Sequence, residues 1–114
     1  IECVIGLKHD PVFGPVVMAG LGGIFIEVLK DVAFRRAPVT EAGALAMLDD
    51  LGGAAILDGV RGKPPADRAA LARLIAAVSR FGAAAGGRLR ELDVNPVIVD
   101  AAGAVAVDWL MVLD

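Results

Sequence analysis

The sequence has 114 residues, a length that fits one domain built around one hydrophobic core. Hydrophobic residues make up 57% of it, but much of that share is alanine and no apolar stretch reaches the roughly 18 residues that a membrane span needs, so we expect a soluble domain. The formal net charge of −3 and the scattered basic residues argue against nucleic acid as the main partner, and the single cysteine, Cys3, excludes an internal disulfide and fits a reducing cytoplasm.

The first forty residues are predicted to form β-strands. Residues 2–9 alternate loosely, the segment HDPVFG supplies turn residues, and a second apolar strand starts at residues 16–18, so a hairpin is expected. The segment GLGG at residues 20–23 predicts another turn. Residues 24–39 are rich in β-branched and aromatic side chains, which favours extended structure up to Pro38.

Two helices and a second hairpin are predicted to follow. Thr40 is the expected N-cap of the first helix, which the Gly52-Gly53 pair ends. Asp67 is the expected N-cap of the second, whose apolar residues recur at i, i+3, i+4, i+7 and i+10: Leu71, Leu74, Ile75, Val78 and Phe81. This order indicates an α+β fold, an antiparallel sheet of about four to five strands with two helices packed on one face.

The closing hairpin, RELDVNPVIVDAAGAVAVDW at residues 90–109, contains polar side chains where apolar ones are expected. Strict alternation places Asp93 and Asn95 on one face of the first strand, together with Val97 and Val99. A loop of two or four residues makes the numbers of paired residues sum to 203, whereas a three-residue loop does not.

With that sum Asn95 faces Asp108, and opposed residues have Cβ atoms about 4.5 to 5.5 Å apart. An amide oxygen and a carboxylate at this spacing suit Mg²⁺, which is usually held by few protein oxygens and by nucleotide phosphates. The alternative is a hydrogen bond between Asn95 and Asp108, with Asp93 starting a turn before Pro96 and no ligand at all.

Three blocks of the sequence resemble one known family. They are DPVFGPVVMAGLGGIFIEVLKDVAFRRAPVT, ILDGVRGKPPAD and ELDVNPVIV followed by GAVAVD. In this order they resemble the end of the ATP-grasp domain in acyl-CoA synthetases of the nucleoside-diphosphate-forming type, relatives of succinyl-CoA ligase β subunits. Together the blocks cover nearly the whole chain and are more specific than the short Asp-x-Asn-Pro motif. The resemblance implies that residues 1–114 are one domain, the C-terminal subdomain of an ATP-grasp fold and a fragment of a larger protein.

The resemblance also implies a function. Members of this family convert an acid, CoA and ATP into acyl-CoA, ADP and phosphate through an acyl phosphate and a phosphohistidine located elsewhere. Asn95 matches the asparagine of the family's Asn-Pro motif and Asp108 the acid of the next strand, the pair that binds Mg²⁺ with ATP or ADP; Trp109 stands where the family more often has a small residue. The partners would be the N-terminal ATP-grasp half and the CoA-binding domains, so we expect the fragment alone to be inactive and to self-associate through its surplus apolar surface.

A second hypothesis is a non-catalytic remnant that serves regulation or assembly, as in proteins where synthetase-like regions are fused to acetyltransferase domains. The intact pair Asn95 and Asp108 favours the catalytic hypothesis.

Three charged residues are further candidates for contacts with the nucleotide. Glu27, with Arg35 and Arg36 nearby in sequence, is a candidate for a phosphate-facing surface, and an edge-strand ion pair is the alternative. Arg61 lies in a loop rich in glycine and proline, where it suits phosphate capture, domain docking or plain solvation. The only histidine, His9, is expected in a solvated turn and does not match the family's phosphohistidine segment.

Overall fold

The structure, a computed structural model, describes residues 1–59 and 61–114, without the side chain of Ile24. The strands of the described residues are β1 (Glu2–Asp10), β2 (Gly14–Leu21), β3 (Val32–Arg36), β4 (Leu89–Asp100), β5 (Gly103–Ala106) and β6 (Trp109–Leu113). The α-helices are α1 (Ile24–Glu27), α2 (Glu41–Asp49) and α3 (Arg68–Ala85), and short 3₁₀ turns span Ala54–Asp58 and Gly86–Arg88. The strands form one antiparallel sheet in the order β3-β2-β1-β4-β5, with β6 also paired to β4. The predicted α+β class is confirmed.

The first hairpin forms as predicted, with its turn held by Asp10. The carboxylate of Asp10 accepts the backbone N–H groups of Val12, at 2.7 Å, and Phe13, at 3.0 Å. The N–H of Phe13, and then that of Val12, lowers the pKa of Asp10 because both donors stabilise the charged carboxylate. The prediction that His9 lies in a solvated turn is wrong: it pairs with Pro15 inside the ladder and is half-buried, because the turn begins only after the aspartate.

The prediction of extended structure across residues 24–39 is wrong at its start and correct at its end. Gly22 donates to the carbonyl of Glu2 at 2.8 Å, and Gly23 has a φ of 66°, so the chain leaves the sheet and turns into α1. The single helical turn folds back over β2, where Ile26 Cδ1 lies 3.2 Å from the place a Cβ would occupy on Gly20. Glu27 therefore lies on a helix and not on a strand, and β3 begins only at Val32.

The core lies between one face of the sheet and the helices α2 and α3. The side chains with the least exposure come from both layers: Ile5, Leu7, Leu21, Met47, Leu48, Leu57, Leu71, Ile75, Leu89, Val17, Val97 and Val99. Both predicted N-caps are confirmed, because Thr40 accepts the N–H of Gly43 and Asp67 that of Ala70, each at 3.0 Å. Although α3 is long and apolar enough to cross a membrane, seven of its residues are buried within this domain, which makes it a core helix here.

Phe81, the last member of the predicted stripe on α3, does not belong to the core. Its side chain is 47% exposed, whereas Leu71, Ile75 and Val78 are buried. A residue at i+10 is rotated by about 80° from the first position of the stripe, so it lies on the flank of the buried face.

Ser79 is the only buried polar side chain among the described residues, and it joins α3 to the segment before α2. Its Oγ accepts the N–H of Val39 at 2.9 Å and donates to the carbonyl of Ala76 at 2.7 Å. We expect Ser79→Ala to lower the free energy of unfolding of the 114-residue chain by about 1 to 3 kcal/mol, because the N–H of Val39 loses its partner. Urea denaturation measures this loss. Ala77→Ser, at an exposed position of the same helix, is the control and should change stability by less than about 0.5 kcal/mol; an equal effect of both changes would contradict the account.

Candidate functional site

The closing hairpin places Asn95 opposite Asp108, as the predicted register requires. The turn has two residues, 101–102. Val94 and Trp109, which pair beyond Asn95 and Asp108, also have residue numbers that sum to 203. Between the turn and the Val94–Trp109 pair, the backbone N–H of Asn95 donates to the carbonyl of Asp108 at 3.0 Å. The two residues are therefore neighbours across the hairpin.

The hairpin departs from a regular ladder at this point. β5 ends at Ala106 and β6 begins at Trp109, so Asp108 lies in a break between two strands. On its other side β4 slips by one residue relative to β1, between the pair formed by Val97 and the pair formed by Val94. A bulge of this kind inserts one extra residue and changes the phase of alternation.

The prediction that Asn95 shares its face with Val97 and Val99 is therefore wrong. Both valines are buried beneath the helices, whereas Asn95 is exposed on the opposite side. The change of phase lets β4 present a polar group at its centre while both flanks remain in the core.

The oxygen atoms of this pair suit a hard cation. One carboxylate oxygen of Asp108, Oδ1, accepts the N–H of Trp109 at 2.8 Å. In the part of the chain that the structure describes, Oδ2 of Asp108 and the amide of Asn95 make no side-chain hydrogen bond, so the alternative cross-strand bond is not formed. The described part of the chain also contains no group of three or more His, Cys, Asp or Glu side chains that could hold a metal ion. Mg²⁺ held here would need phosphate or water oxygens to complete its coordination, and the donor set fits that chemistry.

A groove of about 440 Å³ lies on the sheet face opposite the helices. Its floor is largely apolar, with Met18 lying over Gly6 and with Phe13 and Phe34 among the lining residues. Charged groups line the same groove: Lys8, Asp10, Glu91 and Asp93. Asp93 precedes Asn95 by two positions on β4, so Asn95 lies about 7 Å along the strand from the end of the groove and does not line it. A flat apolar ligand with a charged end fits such a surface.

The sequence contained a signal for this groove that alternation alone hides. Val16, Met18 and Phe34 occupy the strand positions that face away from the core, where polar residues are expected. Apolar residues on both faces of a sheet indicate that both faces are covered or bind a ligand.

The structure separates Arg35 and Glu27 from this pair. Arg35 is on β3, where its guanidinium pairs with Asp50 and donates to the carbonyl of Phe34 at 2.8 Å. Two strands lie between β3 and β4, which amounts to a separation of about 14 Å across the sheet. Glu27 is exposed on α1 and is absent from the ion pairs of the described residues, so the alternative of an edge-strand ion pair at Glu27 is wrong. Arg35 pairs with Asp50 instead.

Arg36, the neighbour of Arg35, lies at the groove itself. Its guanidinium carbon is 5.1 Å from the centre of the Phe13 ring, which lines the groove. Successive residues of a strand point to opposite faces, so Arg36 reaches the side that Arg35 does not. Arg61 is exposed with a φ of 55° in the loop before α3.

Comparison with known proteins gives one consistent family. Residues 1–113 match the family described as ATP-grasp domain. The chain is 45% identical over 112 residues to the acetate–CoA ligase [ADP-forming] I subunit beta of Pyrococcus furiosus, covering 98% of this chain and 48% of that protein. It is also 45% identical over 98 residues to the 4-hydroxybutyrate–CoA ligase [ADP-forming] of Nitrosopumilus maritimus, covering 86% of this chain and 14% of that protein.

A solved structure shares the fold closely. The dinucleotide forming acetyl-coenzyme A synthetase 1 of Ca. Korarchaeum cryptofilum, in complex with coenzyme A and Mg-AMPPCP, superposes with a TM-score of 0.93 at 39% identity. The match covers 100% of this chain and 53% of that one. The chain thus spans about half the length of its β-subunit relative and a much smaller part of the longer ligase.

Proposed function

The chain belongs to the ATP-grasp domain family, and from that premise we propose that it is the C-terminal, nucleotide-binding half of an ATP-grasp domain in an ADP-forming acyl-CoA ligase. The parent protein would form acyl-CoA, ADP and phosphate from an acid, CoA and ATP. The observation that supports this most is the opposition of Asn95 and Asp108, two residues along β4 from a groove-lining aspartate, in a chain of this family.

We propose that the groove holds ATP or ADP against the sheet. Its apolar floor suits a planar base, and the Phe34 side chain, which is 59% exposed, offers a large surface for contact. Lys8 at the groove and Arg36 beside Phe13 supply positive charge for phosphate oxygens. The groove is open to solvent, so a second protein surface is needed to enclose the ligand, which agrees with a partner half in the same domain.

We propose that Asn95 and Asp108 hold Mg²⁺ together with the nucleotide. The ion would link phosphate oxygens to the protein and offset the negative charge that develops when a phosphoryl group is transferred. The two residues come from neighbouring segments of the sheet, which the backbone hydrogen bond from Asn95 to Asp108 holds together. The N–H of Trp109 fixes the orientation of the Asp108 carboxylate through Oδ1.

Glu27, Arg35 and Arg61 stay predictions as nucleotide-contacting residues. The exposed tip of the Arg61 loop leaves its guanidinium free to reach a ligand or a neighbouring domain. A phosphate that binds Arg35 would have to compete with the carboxylate of Asp50. Glu27 would contribute a negative charge from its position on α1.

The surroundings of this chain are also proposals. We propose as partners the other ATP-grasp half and the CoA-binding domains of the same enzyme, in a reducing cytoplasm. Exposed apolar residues on and between the last two strands support self-association of the isolated fragment, among them Val105, Val107, Trp109, Leu110 and Leu113.

The function is tested by turnover of the full-length protein with ATP, CoA and a panel of carboxylic acids. We expect release of ADP and phosphate that depends on both CoA and an acid. Phe34→Ala should raise the KM for ATP by about 5- to 10-fold, because an aromatic contact to the nucleotide is lost. Val28→Ala is the matched control, since Val28 is 71% exposed and does not line the groove. Release of AMP, or absence of turnover with every acid, would refute the proposal.

A further inference from the structure

Arg68, the first residue of α3, connects three parts of the fold through one guanidinium. Its Nη1 lies 2.8 Å from Oδ1 of Asp49, at the end of α2. Its Nη2 lies 3.0 Å from Oδ1 of Asp58 and 2.9 Å from the carbonyl of Ala54, at the two ends of the first 3₁₀ turn. The side chain of Arg68 is only 23% exposed, whereas the two aspartates are about 70% exposed, so the arginine is the fixed centre of the cluster.

These contacts lie at the base of the loop that contains Arg61. Asp58 lies before this loop in the sequence and Arg68 immediately follows it, so their ion pair joins the two sides of the loop. Two backbone bonds reinforce the closure: Ala66 donates to Leu57 at 2.9 Å, and Asp67 donates to Asp100 at 2.8 Å. Joining both ends restricts the conformations that the residues between them can adopt.

The acids around this loop are already engaged by the fold. The carboxylate of Asp58 binds Arg68, and that of Asp67 caps α3. Residues 61–66 contain no acid, so the exposed cations Arg61 and Lys63 have no competing carboxylate next to them in sequence. Such an arrangement suits the capture of a phosphate group, in which orientation of the guanidinium matters.

We propose that Arg68 is a positioning residue for Arg61: by joining Asp58, Ala54 and Asp49 it closes the base of the loop that contains Arg61 and holds Arg61 in place. The consequence for the nucleotide rests on the proposed function, in which Arg61 contacts a phosphate. The fixed position of the loop does not depend on that function and can be measured by itself.

Trypsin cleavage of the full-length protein measures the position of the loop directly. The Arg61–Gly62 bond is cleavable, whereas the bond after Lys63 precedes Pro64 and resists trypsin. Asp58→Ala keeps every trypsin site and should accelerate cleavage after Arg61 by about 3- to 5-fold, because the open state of the loop becomes more populated. Asp114→Ala is the matched control, since this equally exposed aspartate pairs with Arg90 far from the loop. Equal cleavage rates in wild type and Asp58→Ala would overturn the proposal.

A double-mutant cycle then tests whether the loop acts on the nucleotide. Asp58→Ala should raise the KM for ATP by about 3-fold in the wild-type background and leave it unchanged in an Arg61→Ala background. The reason is that Asp58 affects ATP binding only by positioning Arg61. Equal effects in both backgrounds would overturn the route through Arg61. If Arg61→Ala alone leaves the KM unchanged, the proposed phosphate contact fails, and the cleavage rates still decide the positioning role.

Discussion

Replacement of Asp108 by alanine in the full-length protein is expected to lower magnesium-dependent turnover by about 100-fold or more. A protein ligand to a metal that offsets phosphoryl charge contributes several kcal/mol, and about 1.4 kcal/mol corresponds to a factor of ten in rate. Asp108 is exposed, and its main structural contact is with the N–H of the next residue, so its loss should cost little stability. The effect should therefore appear in turnover and in the apparent affinity for Mg²⁺, while the melting temperature stays nearly constant.

Asp100→Ala is the matched control for this experiment. Asp100 is exposed in the same hairpin, and its carboxylate accepts the N–H of Ala102 at 2.8 Å, as that of Asp108 does for Trp109. It lies at the turn, away from Asn95. Unchanged turnover in Asp108→Ala, or an equal loss in both variants, would show that Asp108 does not hold the metal.

Replacement of Gly82 by alanine is expected to lower the free energy of unfolding of the 114-residue chain by about 2 to 3 kcal/mol, with a fall in melting temperature of about 10 °C. A Cβ at this position would lie 2.2 Å from Leu7 Cδ2 and 2.7 Å from Leu7 Cγ. Leu7 is 2% exposed in the middle of β1, so its side chain is enclosed by other core residues. The overlap outweighs the gain in helix propensity, which is about 1 kcal/mol for a change from glycine to alanine.

Two comparisons make this prediction specific. Gly87→Ala is the control, because no atom lies within 4 Å of a Cβ built there, and it should change stability by less than about 0.5 kcal/mol. Leu7→Ala opens space opposite Gly82, so the double variant should be more stable than the sum of the single effects predicts. Additive effects at the two positions would mean that they do not contact each other.

The order of the main elements, apart from α1, and the register of the closing hairpin were predictable because they depend on local chemistry. Thr40 and Asp67 cap helices with their own side chains, and a two-residue turn fixes which residues of the hairpin face each other. The opposition of Asn95 and Asp108 follows from that turn alone. The pattern left a cation site and a cross-strand hydrogen bond as alternatives, and the family resemblance favoured the cation site.

The features that the sequence did not predict depend on contacts between distant segments. The bulge beside Asn95 arises from pairing with β1, almost ninety positions away, so strict alternation misplaced Val97 and Val99. The groove needs side chains from β1, β2, β3 and β4 together. Arg35 and Arg36 are adjacent in sequence but point to opposite faces of the sheet. Arg35 therefore pairs with Asp50, whereas Arg36 lies over the Phe13 ring.

The central claim, that one cation is held jointly by Asn95 and Asp108 next to a nucleotide, is tested most directly by diffraction. Crystals of the full-length protein grown with Mn²⁺ in place of Mg²⁺ and with ADP would locate the metal by its anomalous signal. We predict a peak at about 2.1 Å from both the amide oxygen of Asn95 and a carboxylate oxygen of Asp108, with ADP phosphate oxygens completing the shell. Bound ADP with the metal peak out of reach of either side chain would contradict the account.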